Sequence, residues 1–579
     1  MVALIPTGPS ASELARHFVR ELPADEVYQR RLDVELGYID RIEGAARWLR
    51  EIALICRAIG DVPHTVRGSA GSSLVTWLLG ISSIDPVRWA ISPERFLNPL
   101  RDDLPDVDLD FPYHRREEVY RIIEKMYPGR VARISTHVRY RDRSALREAL
   151  RRAGYRRRIP RHFDLSSLAP GDEEAVLEMA AELKGTVRTV AKHVGGVVIF
   201  DGKVPPEFSI EGEEARVRLD KHEVKENRFF KLDVLSSRAL AQLCEVSDRA
   251  IEDYPEDHAG AAAIFETAST LGITQCESPA FRKLCRAIRP RQLTDVIMCF
   301  ALIRPAAAWV SHRAMFHEEW RRTRTGGRHL IYEDDATAAV AALAQISLPE
   351  ADRVRRWFAR RDLDRMRSFA GSVADRPGAG RVLEDLSCYN GFSFCKSHAV
   401  SYGRLAWALA QLKHERPMDF WRATLDHAMS TYRTWVHVQE AKRAGWEILE
   451  GRRPWRSDGS TLYNDGACRP LVPDEPAAEL RRCGFWTTPG FFPDCGETWR
   501  GDSVTFAGLV ATSRIYKHPR SERAMTFVTV GTGDGRYRDV VLEGAVETDD
   551  FHLVVGRGVR ETQFGSTTIR ASRHRLVAV

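Results

Sequence analysis

Three aspartates alternate in the segment PDVDLDF, at Asp106, Asp108 and Asp110. Side chains of an extended strand repeat every second residue, so all three carboxylates project from one face, about 7 Å apart per step. Like charges packed this closely repel one another. They are either solvated or gathered around positive charge, and two divalent cations about 3.5 to 4 Å apart are a common answer. A lone DxD is more simply a solvated strand edge, so the metal reading needs a further acid from another strand. Asp233 meets that need: it stands alone in the apolar run FFKLDVL, where an unliganded acid is costly. Lys231, two residues earlier, shares its face and would meet a phosphate.

A second feature is the turn RGSAGSSL, Arg67 to Leu74. Small residues let backbone N–H groups approach a triphosphate, Ser69, Ser72 and Ser73 add hydroxyls, and a helix N-terminus follows at once. The turn lacks the GK[ST] ending of a P-loop, which excludes an ATPase of that kind; alone it is also just a tight loop. Ser397 beside His398 does not make a nucleophile and base, because adjacent helical residues point apart and no orienting acid is evident; a helix cap or a DNA contact is expected. His312 and His317 with Glu318 and Glu319 lack metal-ligand spacing and read as a solvated face. The ten cysteines form no CxxC pair, and Cys468, Cys483 and Cys495 fit no zinc pattern, so reduced core residues are expected.

The elements that must position these residues are legible in outline. Ser10 and Glu13 form a plausible capping box ahead of helical residues 10 to 60. PDVDLDF, KHVGGVVIF and FFKLDVL read as strands, with helices over Arg115 to Met126, Arg143 to Ala153 and Asp172 to Leu183. From Leu235 to about Glu450 the period is helical. Residues 451–500 are rich in Pro, Gly and Trp without a clear period, and strands with a Gly-Asp-Gly hairpin signal at 533–535 follow Asp502. At 579 residues, 44% hydrophobic and 29% charged, the chain can bury several cores and is not a disordered one. No apolar run is long enough to cross a bilayer, and MVALIPTGPS is unlike a secretory signal, so a cytoplasmic protein is expected. A net charge of +6 says little about partners, but the arginine-rich stretch Arg130 to Arg161 beside the acidic Arg101 to Asp110 suits either an enzyme that handles a polyanion through bound metal or simply a solvated helix face.

RGSAGSSLVTWLLGISSIDP, PERFLNP, PDVDLDF, KHVGGVVIF and FFKLDVL occur in an order and at spacings that resemble the bacterial C-family DNA polymerase III alpha subunit. The resemblance continues through QCES, ALIRP, LIYEDD, EADRVRRWFARRD and FCKSHAVSYGRLAWALAQLKHERP, and so covers roughly residues 25 to 450. SPERFLNPLRDDLPDVDLDFPYHRREEVY is also similar to the error-prone, translesion branch of that family.

The resemblance implies an α/β multidomain fold: a nucleotidyltransferase-type palm, helical fingers, a short thumb and a C-terminal OB-like β-barrel. The expected divisions are a helical lead-in over 1–65, palm over 66–115, palm and short thumb over 116–190, palm again over 191–245, fingers over 246–450, a linker or small irregular module over 451–500, and the barrel over 501–579. Carried over residue by residue, the family's catalytic, metal-holding carboxylates fall on Asp108, Asp110 and Asp233, with two Mg²⁺ ions implied. Asp106 falls outside that trio. Nucleotide binding falls on Arg67, Gly68, Ser69, Lys231, Arg355 and Arg356, and DNA binding on His193. The strands after Asp502 resemble the OB-fold that the family carries, and the cluster of Arg514, Tyr516, Lys517, Arg520 and Arg523 there suits single-stranded template, with a structural barrel bearing a charged loop as the alternative. The function implied is template-directed addition of dNTPs to a primer 3′ end, with primer-template DNA, dNTPs and a sliding clamp or other replication or repair protein as partners. A non-catalytic polymerase-derived DNA-binding scaffold and a template-independent nucleotidyltransferase are the alternatives. The family's N-terminal phosphoesterase-like domain is not visible, the thumb between Tyr155 and Lys192 is short, ALIRPAAA replaces RPGP, EDD replaces a Gln-Glu-Gln type run, and neither helix-hairpin-helix glycines nor a clamp peptide is seen.

Overall fold

A computed structural model describes residues 10–101, 106–155, 159, 168, 171–210, 213–303, 316, 320, 323, 330–388, 394–427, 430–448, 456–458, 461–463, 503–517, 523–531, 537–548, 552–563 and 566–578. His312, His317, Glu318, Glu319, Cys468, Cys483, Cys495, Arg520, the altered RPAAA stretch, the Gly-Asp-Gly hairpin and most of 451–500 lie outside the described residues.

A seven-stranded sheet carries the carboxylates. Its strands are β1 (Thr65–Arg67), β2 (Val107–Pro112), β3 (Val131–Arg139), β4 (Val187–Ile199), β5 (Ser209–Ile210), β6 (Glu213–Val217) and β7 (Phe230–Ser237), in the order β1-β2-β7-β4-β3-β6-β5. β2 and β7 are parallel neighbours, with β1 antiparallel on the outer side of β2 and β4 antiparallel beside β7. Val107, Leu109 and Phe111 alternate with the acids of β2 and are fully buried, as Leu232 and Val234 are in β7. They share one apolar core with Ile52 and Ile55 of α2 (Ala45–Ala58), which follows α1 (Glu26–Arg41). Val119 and Ile123 join that core from α4 (Arg116–Met126), beyond the short α3 (Leu74–Leu78). The two-residue period thus splits β2 into an apolar face turned to helices and a carboxylate face.

The glycines of KHVGGVVIF are needed where β4 meets β7. Gly196 pairs with Asp233, and a Cβ there would lie 2.5 Å from the side chain of Ile134. β4 is longer than the expected strand: its N-terminal half is largely exposed and runs with β3 as a ribbon, so the division expected at residue 190 falls inside one strand. β3 itself is not among the expected strands, because its arginines mask the alternation in VARISTHVR. At the end of the ribbon α5 (Asp142–Arg152) and α6 (Asp172–Leu183) bury Ala145, Ala149, Leu150 and Val176 in a separate small core.

After α7 (Lys221–Glu226) and β7 the chain is helical, as expected: α8 (Arg238–Val246), α9 (Ala259–Glu266), α10 (Pro279–Ile288), α11 (Leu293–Leu302), α12 (Glu333–Ala344), α13 (Leu348–Arg360), α14 (Leu363–Val373), α15 (Ala379–Cys388), α16 (Lys396–Glu415), α17 (Pro417–Asp426) and α18 (Thr434–Arg443). α12 to α15 have their own core around Val340, Val354, Phe358 and Phe369. α16 is buried almost all round from Ser397 to Leu412, which makes it the central post between helices and sheet. Arg238, Ser430 and His437 converge on the buried carboxylate of Glu277, at 3.0, 2.5 and 3.0 Å. Among the described residues no helix is long and apolar enough to cross a membrane.

Three short strands, β8 (Glu447–Ile448), β9 (Arg456–Asp458) and β10 (Thr461–Tyr463), pair with one another. The last strands, β11 (Ser503–Lys517), β12 (Ala524–Gly531), β13 (Tyr537–Glu543), β14 (His552–Gln563) and β15 (Ser566–Ala578), pair in the closed order β11-β12-β13-β15-β14, with β13 and β15 parallel. This unit is built into the helical body. The Trp435 indole and the Arg433 guanidinium both donate to the Val510 carbonyl, and Leu509, Ala511 and Tyr537 belong to the main core.

Candidate active site

Register brings the acids together. Asp108 lies directly beside Asp233 across the parallel β2–β7 pair, and Arg67 lies beside Asp108 on the other side. Asp106 precedes β2 and is exposed; Asp110 is fully buried. The Lys231 Nζ donates to Asp233 Oδ2 at 2.6 Å and lies 3.8 Å from Asp106 Oδ1. Burial pulls the Lys231 ammonium down, but Asp233, Asp106 and Asp108 outweigh it and hold it above its ordinary value. Burial first, and the Asp233 carboxylate second, push Asp108 up to about 7.

These residues fit a divalent cation. Asp233 Oδ1 is buried with no hydrogen-bond partner, a costly state for a carboxylate oxygen, and Asp108 is destabilised as an anion beside it. A cation between the two would relieve both. Gly68 lies against the site: its φ of +80° suits glycine, and a Cβ there would lie 3.7 Å from Asp108 Oδ2.

Asp110 is differently placed. Arg67 grips it bidentately, Nη2 to Oδ1 at 2.7 Å and Nε to Oδ2 at 3.1 Å, and the Tyr402 hydroxyl donates to Oδ2. Burial raises the Asp110 carboxyl, and Arg67 opposes that rise. His193 accepts the N–H groups of Gly195 and Gly196 on Nδ1, at 3.2 and 2.7 Å. That nitrogen therefore carries no proton, and its 3.9 Å approach to Asp233 Oδ1 is not an ion pair. Burial also lowers the imidazole, which leaves Nε2–H as its donor.

The Gly-Ser turn departs from expectation. Ser73 and the backbone N–H groups of Leu74 and Val75 donate to Glu35, a fully buried carboxylate of α1, at 2.6, 2.9 and 3.1 Å. The N-terminus of α3 thus already has its anion inside the protein, and Ser72 donates to Ser397 at 3.1 Å. Neither serine nor that helix end faces a phosphate; Arg67, Gly68 and half-buried Ser69 remain on the rim.

Sequence reasoning missed the role of KSHAVSY. On α16, Ser397 donates to the Gly68 carbonyl at 2.6 Å and His398 Nδ1 accepts the Gly68 N–H at 3.1 Å. Ser401 donates to the Val66 carbonyl at 2.8 Å, and Tyr402 reaches Asp110. The expected cap or DNA contact at Ser397 and His398 is instead a brace for the turn. The signal was present: polar residues at i, i+1, i+4 and i+5 share one face of an otherwise apolar helix.

The fingers arginines are placed unequally. Arg355 is buried, with Asp352 at 2.8 Å and Glu333 at 3.4 Å, and Arg95 also binds Glu333. Arg356 meets Asp352 at 3.6 Å; burial first, then Arg101, hold its guanidinium down at about 10. In the barrel Arg514 and Lys517 are exposed, and Tyr516 forms an edge-on pair with exposed Phe527 at 6.5 Å. Arg514, Tyr516 and Phe527 line a groove that runs between the barrel and Lys283 of α10.

Residues 10–236 match the family model described as bacterial DNA polymerase III alpha NTPase domain, and residues 237–376 match the bacterial DNA polymerase III alpha subunit finger domain. An error-prone DNA polymerase of Anaeromyxobacter dehalogenans is 30% identical over an alignment of 552 residues that covers 82% of this chain and 47% of that protein. The DNA polymerase III subunit alpha of Halalkalibacterium halodurans is 27% identical over 512 residues, 77% of this chain and 45% of that protein. An error-prone DNA polymerase of Bordetella bronchiseptica is 30% identical over 468 residues, 70% and 44% respectively. The chain spans about half the length of the curated relatives it matches.

Proposed function

Since the chain belongs to the bacterial DNA polymerase III alpha family, we propose that it is a template-directed DNA polymerase that adds dNTPs to a primer 3′ end. The observation that carries this reading is the placement of Asp108 beside Asp233, with an orphaned buried oxygen on Asp233 and Asp110 two residues along the same strand. Two Mg²⁺ ions held by Asp108, Asp110 and Asp233 would supply the acidity that activates a primer hydroxyl and the charge that stabilises departing pyrophosphate. Lys231 donates to Asp233 and would also meet the triphosphate. Arg67, Gly68 and Ser69 would seat that triphosphate at the rim, with Arg356 reaching it from the fingers while Arg355 anchors α13 from within. His193 would present Nε2–H to the nucleic acid.

The closed five-strand order with a parallel β13–β15 pair supports an OB-like barrel, whose Arg514, Tyr516 and Lys517 would hold single-stranded template through charge and base stacking. The palm, thumb, fingers and barrel divisions belong to the same proposal, as do a sliding clamp or repair protein as partner and a cytoplasmic place of action. Primer extension with Mg²⁺, with and without template, is the test. Wild-type protein should extend only a templated primer, and Asp108→Asn and Asp233→Asn should abolish extension while DNA binding stays within about twofold. Extension by either variant at the wild-type rate would overturn the carboxylate assignment; extension without template would indicate a terminal transferase.

A further inference from the structure

Asp110 has two partners of opposite character. Arg67 sits at the rim, with more than a third of its side chain exposed. Tyr402 is 3% exposed, and its ring is wedged against His398, centroids 4.5 Å apart, and near Phe300 at 6.4 Å. The hydroxyl of such a fixed ring cannot swing away without repacking α16, whereas a guanidinium at the rim can leave for another anion. A phenol facing a carboxylate can only donate, so the bond fixes which way Asp110 Oδ2 turns and leaves the remaining lone pairs directed elsewhere. That helix face holds the Gly68 turn through Ser397 and His398, while the opposite face packs against α11 through Gly403, where a Cβ would meet Ile297 at 2.5 Å.

We propose that Tyr402 is the positioning residue of Asp110: carried by α16 from the helical fingers into the palm, its hydroxyl sets the carboxylate's orientation toward a divalent cation, while Arg67 is the partner that gives way. This rests on the reading that the three aspartates hold metal. Partners that orient a metal-ligating carboxylate commonly change metal affinity by about 10- to 100-fold when removed. Tyr402→Phe keeps the ring and its packing and removes only the donor.

The test is Mn²⁺ binding to the full chain without DNA, followed by electron paramagnetic resonance of free Mn²⁺, together with thermal unfolding and single-nucleotide insertion. Tyr402→Phe should raise the Mn²⁺ Kd about tenfold or more and lower kcat, with the dNTP KM within about twofold of wild type. In an Asp110→Asn background the same substitution should have no further effect on Mn²⁺ binding, because it acts through that carboxylate. An unchanged Mn²⁺ affinity in Tyr402→Phe would overturn the proposal. So would an equal loss in both backgrounds, which would mark a general loosening of the fold, visible as a lowered Tm. Wild-type protein that binds no more Mn²⁺ than Asp233→Asn would instead sink the metal reading of the carboxylates.

Discussion

Arg355 and Arg356 are neighbours on α13, yet one is fully buried as a structural charge and the other only half-buried. Arg355 is 2% exposed, and its guanidinium bridges Asp352 and Glu333. Removing one member of a buried ion pair leaves the other charge uncompensated, at a cost of about 3 to 5 kcal/mol. Arg355→Ala should therefore lower Tm sharply, while Arg356→Ala should leave Tm near wild type and raise the dNTP KM; thermal unfolding beside steady-state insertion kinetics separates the two. Equal effects on both observables would show that the pair acts as one unit. The sequence could not distinguish these arginines, because adjacent positions with the same chemistry differ only in which side of the helix meets Glu333, a residue twenty-two positions away. Asp108 and Asp233 were legible for the converse reason: each breaks an apolar strand, and such a break needs a cause.

At the scale of elements, Glu277 ties α8, the N-terminal approach to α10 and α18 into one clasp through Arg238, Ser430 and His437. Burial alone would raise its carboxyl, but the hydrogen bond and charge of His437 lead the groups that hold it down at about 2. The clasp therefore stabilises the fold fully above the ordinary carboxylate value and loses its contribution as pH falls from about 4.5 toward 2. Wild type should exceed Glu277→Gln in stability at pH 7 by on the order of 3 kcal/mol, and the gap should narrow as pH falls through that window. Denaturant titrations across pH would show this, and a gap independent of pH would refute it. Elements with strong periodicity were legible: the helices from residue 238 onward and the strands around both acid motifs. β3 was not, since its arginines conceal its alternation, and the serine-rich turn was misjudged because Glu35, the anion that satisfies it, lies on a helix about forty residues earlier.

Across the whole molecule, a net charge of +6 is too small to bind a polyanion by itself, so the location of charge decides affinity. Arg514 stands exposed beside the Tyr516–Phe527 pair, and exposed Lys517 follows at the end of the same strand. Each phosphate contact on single-stranded DNA adds about 0.7 to the slope of log affinity against log salt. Arg514→Ala and Lys517→Ala should each flatten that slope by about this amount on a primer-template with a long 5′ overhang, and leave a blunt duplex unaffected. Slopes unchanged on both DNAs would assign the groove to something other than template. Deleting the barrel is a poorer experiment, because Leu509, Ala511 and Tyr537 are part of the main core. The order in which the chain is made then matters. β15 pairs with both β13 and β14, so the cylinder cannot close until residues 566–578 have left the ribosome. At about 5 to 20 residues per second, the helical body up to residue 448 waits roughly 6 to 26 s with Trp435 and Tyr432 uncovered. During that interval the nascent polypeptide presents a sticky apolar surface, so its yield in a cell should depend on chaperones that hold it at the ribosome.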